Sequence, residues 1–183
     1  MEKEIFLQPG IRVVRIERQR FPACRFAGIR YKNSDRRDGT FSHLWGEWFQ
    51  TGRFDALEAL QTPEFRAAFP DAGAYWALMR SNSGAPEDFE YWIGMFLPPD
   101  AAADGVETLP FPASEAAVCW LKGPEEELYP LEGQCFAFLR GEGFEPAAGA
   151  YFFERYVCPR FTTPDEDGGV ILDLGFFTEE RAD

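Results

Sequence analysis

The stretch Phe111-Pro-Ala-Ser-Glu-Ala-Ala-Val-Cys-Trp-Leu-Lys122 restarts a pattern used earlier in the chain, at Phe21-Pro-Ala-Cys-Arg-Phe-Ala-Gly-Ile-Arg-Tyr-Lys32. At a constant separation of 90 residues Phe-Pro-Ala meets Phe-Pro-Ala, Ala117 meets Ala27 and Lys122 meets Lys32. The identities are few, and the order of elements around them extends the repeat. Before the first copy, Ile11–Ile16 reads as a strand entered through a Pro9-Gly10 turn, and Phe21–Tyr31 as the next strand. Past the polar loop 32–39, residues Phe41, Leu44, Trp45, Trp48 and Phe49 recur at i, i+3, i+4, i+7 and i+8. That is one apolar helical face, with Thr40 as its expected N-cap and Gly52 as its stop. Two short helical turns, 54–60 and 63–69, follow, the second opened by Thr62-Pro63. Strands at 74–79 and 89–97 then form a hairpin across a Ser-, Gly- and Pro-containing loop.

The second copy runs the same course. A short strand at 106–109 precedes it, and Gly123-Pro124 with the acidic run Glu125–Glu127 leads into a helix. That helix carries Leu131, Cys135, Phe138 and Leu139 on its apolar side and ends at Gly141. Strands at 150–157 and 169–177 close the chain. Each half reads strand, strand, helix, strand, strand, over residues 11–97 and 106–177, with 98–105 as the connector inside a single domain 1–183. The expected fold is α+β. Its two halves pair into one antiparallel sheet of about eight strands, with two main helices on one face. A cleft between those helices, floored by the sheet, is the natural pocket.

Composition narrows the function. The net charge is −13, which argues against direct nucleic-acid binding and against anionic membranes and attracts cations. No apolar run approaches membrane-spanning length, and Met1–Ile5 lacks the character of a signal peptide, so a cytoplasmic location is expected. Aromatic residues make up 16% of the chain, with 19 Phe, 6 Tyr and 5 Trp, enough to line a cavity as well as fill a core. Cys24, Cys119, Cys135 and Cys158 form no C-x-x-C pair and read as small buried hydrophobes, three of them in strands and Cys135 in a helix. One histidine, His43, cannot build a histidine-rich zinc site, and no metal or cofactor is expected. There is no nucleophile elbow and no phosphate loop.

The chemistry concentrates at Ala150-Tyr-Phe-Phe-Glu-Arg-Tyr-Val157. Alternation on a strand puts Phe152, Glu154 and Tyr156 on one face and Tyr151, Phe153, Arg155 and Val157 on the other. A carboxylate between two aromatic rings is expensive to bury unless its charge is compensated. One reading makes this an edge strand, with Glu154 in water or paired with an arginine. The other makes it the floor of an aromatic-walled pocket for an apolar cation.

The ordered motifs Phe-Pro-Ala with Ala-Gly-Ile-Arg, His-Leu-Trp-Gly-Glu-Trp-Phe, Tyr-Trp-Ile-Gly-Met, Phe-Pro-Ala-Ser with Trp-Leu-Lys-Gly-Pro, and Phe-Phe-Glu-Arg-Tyr resemble the GyrI-like small-molecule-binding domains. These include the effector-binding domains of AraC- and MerR-type multidrug regulators. The resemblance runs from about Val13 to Phe177. It implies duplicated β-α-β-β halves, a pocket between them and a buried glutamate, here Glu154, that meets lipophilic cations. The regulators carry a helix-turn-helix before this domain, whereas about ten residues precede the first strand here, so a stand-alone form is expected.

The leading expectation is a binding protein for hydrophobic, planar or cationic compounds. Glu154 supplies the charge, and Phe152, Tyr156, Trp45, Trp76, Tyr91 and Trp92 supply aromatic walls, although Tyr91 and Trp92 are adjacent on a strand and cannot face the same way. Resemblance to family members that open strained cyclopropanes implies an alternative, in which Glu154 and Tyr156 are catalytic and the glutamate directs water attack. A third expectation, by analogy with gyrase-restraining members, is a protein partner such as gyrase. The oligomeric state stays open, with Ile11–Ile16 as a strand able to pair with another chain.

Overall fold

Phe21-Pro-Ala23 and Phe111-Pro-Ala113 mark the two places where the chain changes unit. The computed structural model describes residues 5–179. One unit holds the chain up to Arg20 together with everything from Ser114 onward; the other is Phe21–Ala113. The strands are β1 (Ile5–Gln8), β2 (Ile11–Phe21), β3 (Cys24–Lys32), β4 (Tyr75–Ser81), β5 (Phe89–Leu97), β6 (Glu107–Phe111), β7 (Ser114–Gly123), β8 (Phe152–Tyr156) and β9 (Val170–Thr178). The helices are α1 (Ser42–Gln50), α2 (Arg53–Glu58), α3 (Pro63–Ala68), α4 (Glu125–Leu128) and α5 (Glu132–Gly141), of which α1 and α5 are the main ones.

In the discontinuous unit the strands run in the order β1-β2-β7-β9-β8, and in the continuous unit β4-β5-β3-β6. The pairs β1/β2, β7/β9, β8/β9, β3/β5, β4/β5 and β3/β6 are all antiparallel, as expected for this α+β class. β2 lies beside β7, and β6 beside β3. Each sequence repeat thus gives its first strand to the unit built by the other, which is why the units do not divide the chain at 98–105. The ninth strand is β1. Gly10, at φ 81°, reverses the chain after Pro9 and lets Ile5 pair with Val13.

Both units use the same construction. α1 places Leu44 and Trp48 against Ala77, Tyr91, Ile93 and Met95 of β4 and β5. α5 places Cys135 and Leu139 against Cys119, Leu121, Leu172 and Leu174 of β7 and β9. In β5 Gly94 pairs with Gly28, and in β9 Gly175 pairs with Val118. A Cβ on Gly94 would overlap the Ala27 carbonyl oxygen, and one on Gly175 the Ala117 carbonyl oxygen, with the rings of Phe26 and Phe153 closing over them. These notches let a large ring lie flat on the backbone.

The second face of the continuous unit is also dry. Phe21, Phe69, Trp76, Phe96 and Phe111 form a chain of ring contacts with centroids 4.9–5.2 Å apart for Phe21–Phe69, Phe69–Phe96, Trp76–Phe96 and Phe96–Phe111. Burial on both faces explains why Tyr91–Leu97 reads as a continuous apolar run.

Several local expectations are corrected. The N-cap of α1 is Phe41, and the Thr40 hydroxyl accepts only a long bond, 3.4 Å, from the Ser42 N–H. Phe49, the last member of the helical stripe, is 54% exposed, its ring meeting Phe54 and Tyr75. Pro130 breaks the expected second helix into α4, a 3-10 turn at Tyr129–Leu131 and α5. Cys158 lies past the end of β8 and is exposed, whereas Cys24, Cys119 and Cys135 are buried as expected. Thr62 does cap α3, its hydroxyl accepting from the Phe65 N–H at 3.2 Å.

Candidate functional site

β8 sets the site. Its register against β9 pairs Phe152 with Phe176 and Glu154 with Leu174, both members of the core beneath α5. Phe152, Glu154 and Tyr156 therefore point to the helix-covered face, as alternation requires. Glu154 is 7% exposed. The Tyr156 hydroxyl donates to its Oε2 at 2.7 Å. The ring of Tyr156 stands edge-on to Phe161 at 4.8 Å, and that of Phe152 packs on Phe136 at 4.8 Å and Phe176 at 5.3 Å. A nearly dehydrated carboxylate thus lies among aromatic walls.

The turn after α4 adds Tyr129, 38% exposed, whose hydroxyl donates to Glu125 at 3.0 Å. Burial pushes its phenol well up, and the hydrogen bond to Glu125 and the negative charges of Glu125 and Glu154 push it further. Tyr129 therefore stays neutral and within the electrostatic reach of Glu154.

The arginine of the motif serves a different acid. Arg155 and Asp173 are both fully buried on the opposite face of β8 and β9. Arg155 donates through Nε to Asp173 Oδ2 at 2.8 Å and through Nη1 to Gln19 at 2.6 Å. Arg160 donates to Asp173 Oδ1 at 3.0 Å and sits 4.1 Å over the ring of Trp120. Glu115, a third buried acid, accepts from Arg18 and Arg20, each at 2.9 Å.

The expected aromatic set divides. Phe152, Glu154 and Tyr156 come together in the discontinuous unit. Trp45 and Tyr91 come together on the helix-covered face of the continuous unit, the indole N–H donating to the tyrosine hydroxyl at 2.9 Å. Trp76 and Trp92 lie on the other face of β4 and β5. Trp76 is core among Phe21, Phe69 and Phe96, and Trp92 donates to Glu90 at 3.1 Å and meets Phe26 edge-on. Phe136 packs on Phe152, Phe161 stands edge-on to Tyr156, and Tyr129 feels the charge of Glu154, three links that sequence reasoning missed. Phe136 had a signal, since Glu132, Phe136 and Arg140 share one edge of α5 at i, i+4 and i+8. Among the described residues, no three His, Cys, Asp or Glu side chains gather as a metal ion would need.

The model of the GyrI-like small molecule binding domain matches residues 14–168. The chain belongs to the GyrI-like family. Solved structures share the fold of this GyrI-like domain. SAV2435 bound to tetraphenylphosphonium matches at TM-score 0.64 and 14% identity, over 91% of this chain and 94% of that one. The EcmrR C-terminal domain matches at TM-score 0.57 and 13% identity, over 91% and 98%. In an EcmrR–DNA complex the match, at TM-score 0.55 and 14% identity, covers 91% of this chain and 58% of that one. No curated protein matches the chain in sequence. Among the described residues of the GyrI-like domain, no helix is long and apolar enough to cross a membrane.

Proposed function

We propose that this GyrI-like domain binds lipophilic cations at Glu154, with Tyr156, Phe152, Phe136 and Phe161 as aromatic walls. The observation that carries the reading is a carboxylate 7% exposed on an otherwise apolar face, held by a tyrosine hydroxyl. An inorganic cation prefers water to such surroundings, whereas an apolar cation loses little hydration on entering them. Each cation–π contact contributes about 0.5–2 kcal/mol, so several with one carboxylate approach the ~8 kcal/mol of micromolar binding. The net charge of −13 raises the local cation concentration and disfavours contact with nucleic acid. A fold neighbour seen bound to tetraphenylphosphonium supports the same ligand class. Four free thiols suit a cytoplasmic location. A gyrase-directed role has less behind it. Of the acidic turns, Asp165 already accepts from the Asp167 and Gly169 N–H groups and pairs with Lys122.

The test is calorimetric titration of tetraphenylphosphonium into wild type, Glu154→Gln and Tyr156→Phe, with mass spectrometry of strained cyclopropane compounds incubated with the same proteins. Wild type is expected to bind in the micromolar range. Glu154→Gln loses at least about tenfold and Tyr156→Phe less, in keeping with one buried charge and one hydrogen bond. Equal affinity in all three overturns the assignment to Glu154. Turnover that stops in Glu154→Gln converts the reading to a hydrolase.

A further inference from the structure

A second feature lies in the continuous unit and is independent of Glu154. Arg30, Lys32, Arg36 and Arg37 place four of the 18 lysines and arginines within eight residues of an otherwise acidic chain. Between the loop they lead into and the first turn of α1 lies a recess of about 290 Å³, lined by Tyr31, Ser34, Asp35, Arg36, Arg37, His43 and Leu44. That is roughly ten times the ~30 Å³ share of one water molecule.

We propose that this recess binds a small oxyanion of the phosphate or phosphate-monoester class. The two arginines outweigh Asp35, whose carboxylate is drawn to the Lys32 N–H at 2.7 Å. His43 adds a half-buried imidazole to the lining, on the first turn of α1. Arg36 is set in advance. It donates through Nε to Asn33 Oδ1 at 2.8 Å and through Nη1 to the Gly39 carbonyl at 2.9 Å, and lies 4.4 Å over the Phe41 ring. Reciprocal backbone hydrogen bonds between Arg37 and Thr40, both 2.9 Å, hold the loop that presents the second guanidinium. Arg36 therefore has little side-chain freedom left to lose on binding, and guanidinium groups match phosphate oxygens in geometry. Ser34 adds a hydroxyl donor, and Tyr31, which accepts from the Trp48 indole at 2.9 Å, ties the wall to the core.

His43 is the single histidine of the chain, so its ring signals report on this recess alone. The experiment follows them by NMR at fixed pH and ionic strength while inorganic phosphate, phenyl phosphate, sulfate or chloride is added to wild type, Arg37→Ala and Glu154→Gln. Phosphate and phenyl phosphate are expected to give saturable shifts, with chloride inert at the same concentration. Tighter binding of phenyl phosphate identifies a monoester, and equal binding free phosphate. Arg37 is exposed, so Arg37→Ala folds normally, and it weakens phosphate about tenfold through loss of one charge-assisted contact. Glu154→Gln leaves the titration unchanged, which separates this site from the cation site. Shifts that grow linearly without saturating, that chloride reproduces, or that Arg37→Ala leaves untouched overturn the proposal.

Discussion

β4 and β8 occupy the same place in their two units, yet they carry opposite chemistry. In the continuous unit Trp76, Ala77 and Leu78 face Gly94, Ile93 and Trp92. In the discontinuous unit Phe153, Glu154 and Arg155 face Gly175, Leu174 and Asp173. A ring residue paired with a glycine is common to both, although the ring that closes over Gly94 is Phe26 of β3 and the one over Gly175 is Phe153 itself. Ala77 stands where the other repeat has Glu154, and the apolar pair Leu78/Trp92 stands where the other has Arg155/Asp173. The glycine notch and the alternation belong to the scaffold, because the backbone cannot pack without them. The charges belong to one copy only, so the fold does not need them.

The largest effect expected from breaking this comparison is at the buried ion pair. Asp173→Ala leaves Arg155 charged and fully buried, and urea denaturation should show a loss of about 3–5 kcal/mol. Replacing both partners, Arg155→Leu with Asp173→Leu, imitates the apolar pair of the other unit and should cost less than the single change. A double variant less stable than Asp173→Ala would mean that the two units are not interchangeable at this position.

The glycine notches come next. Gly94→Ala and Gly175→Ala should each destabilise by about 1–3 kcal/mol, and by similar amounts, because each new methyl meets a backbone carbonyl and an aromatic ring. Unequal losses, read from the same denaturation curves, would show that only one notch is tight. Glu154→Leu makes the proposed cation site resemble its apolar counterpart at Ala77. Its ligand-free melting temperature should equal or exceed that of wild type by a few degrees, while tetraphenylphosphonium no longer stabilises it.

The smallest effect is at Glu115. Burial raises its carboxyl, but the hydrogen bonds and charges of Arg18 and Arg20 prevail and hold it below its ordinary value of 4.5. A folded-state pKa below the unfolded one contributes stability that is full above the unfolded value and is lost as pH falls through the folded one. Melting temperatures of wild type and Glu115→Gln should therefore differ most near neutrality and converge as the pH drops below about 4.5.

Much of this was legible in the chain itself. The duplicated order of elements, the shared face of Phe152, Glu154 and Tyr156, and the stop at Gly52 all follow from spacing within a few residues, whereas whether that face is buried was left open by the strand alone. The aromatic walls were legible only in part. Trp45 and Tyr91 do meet, but Trp76 and Trp92 belong to the opposite face, because a one-residue step along a strand reverses direction and the register is set by a distant partner. Phe136 and Phe161 reach the glutamate's neighbours from α5 and from the segment after β8, and no local pattern links them to residue 154.

The same division holds for the whole protein. Sequence by itself determined the α+β class, the repeat, the acidic character and the strand face that Glu154 shares with Phe152 and Tyr156, since these depend on composition and on periods of 2 and 3.6 residues. Tertiary structure decided which unit each strand joins, with β2 and β6 exchanged between repeats. It also decided that Arg155 serves Asp173 rather than Glu154. Those outcomes rest on pairings between residues far apart in the chain, where packing and register, not local preference, choose the partner.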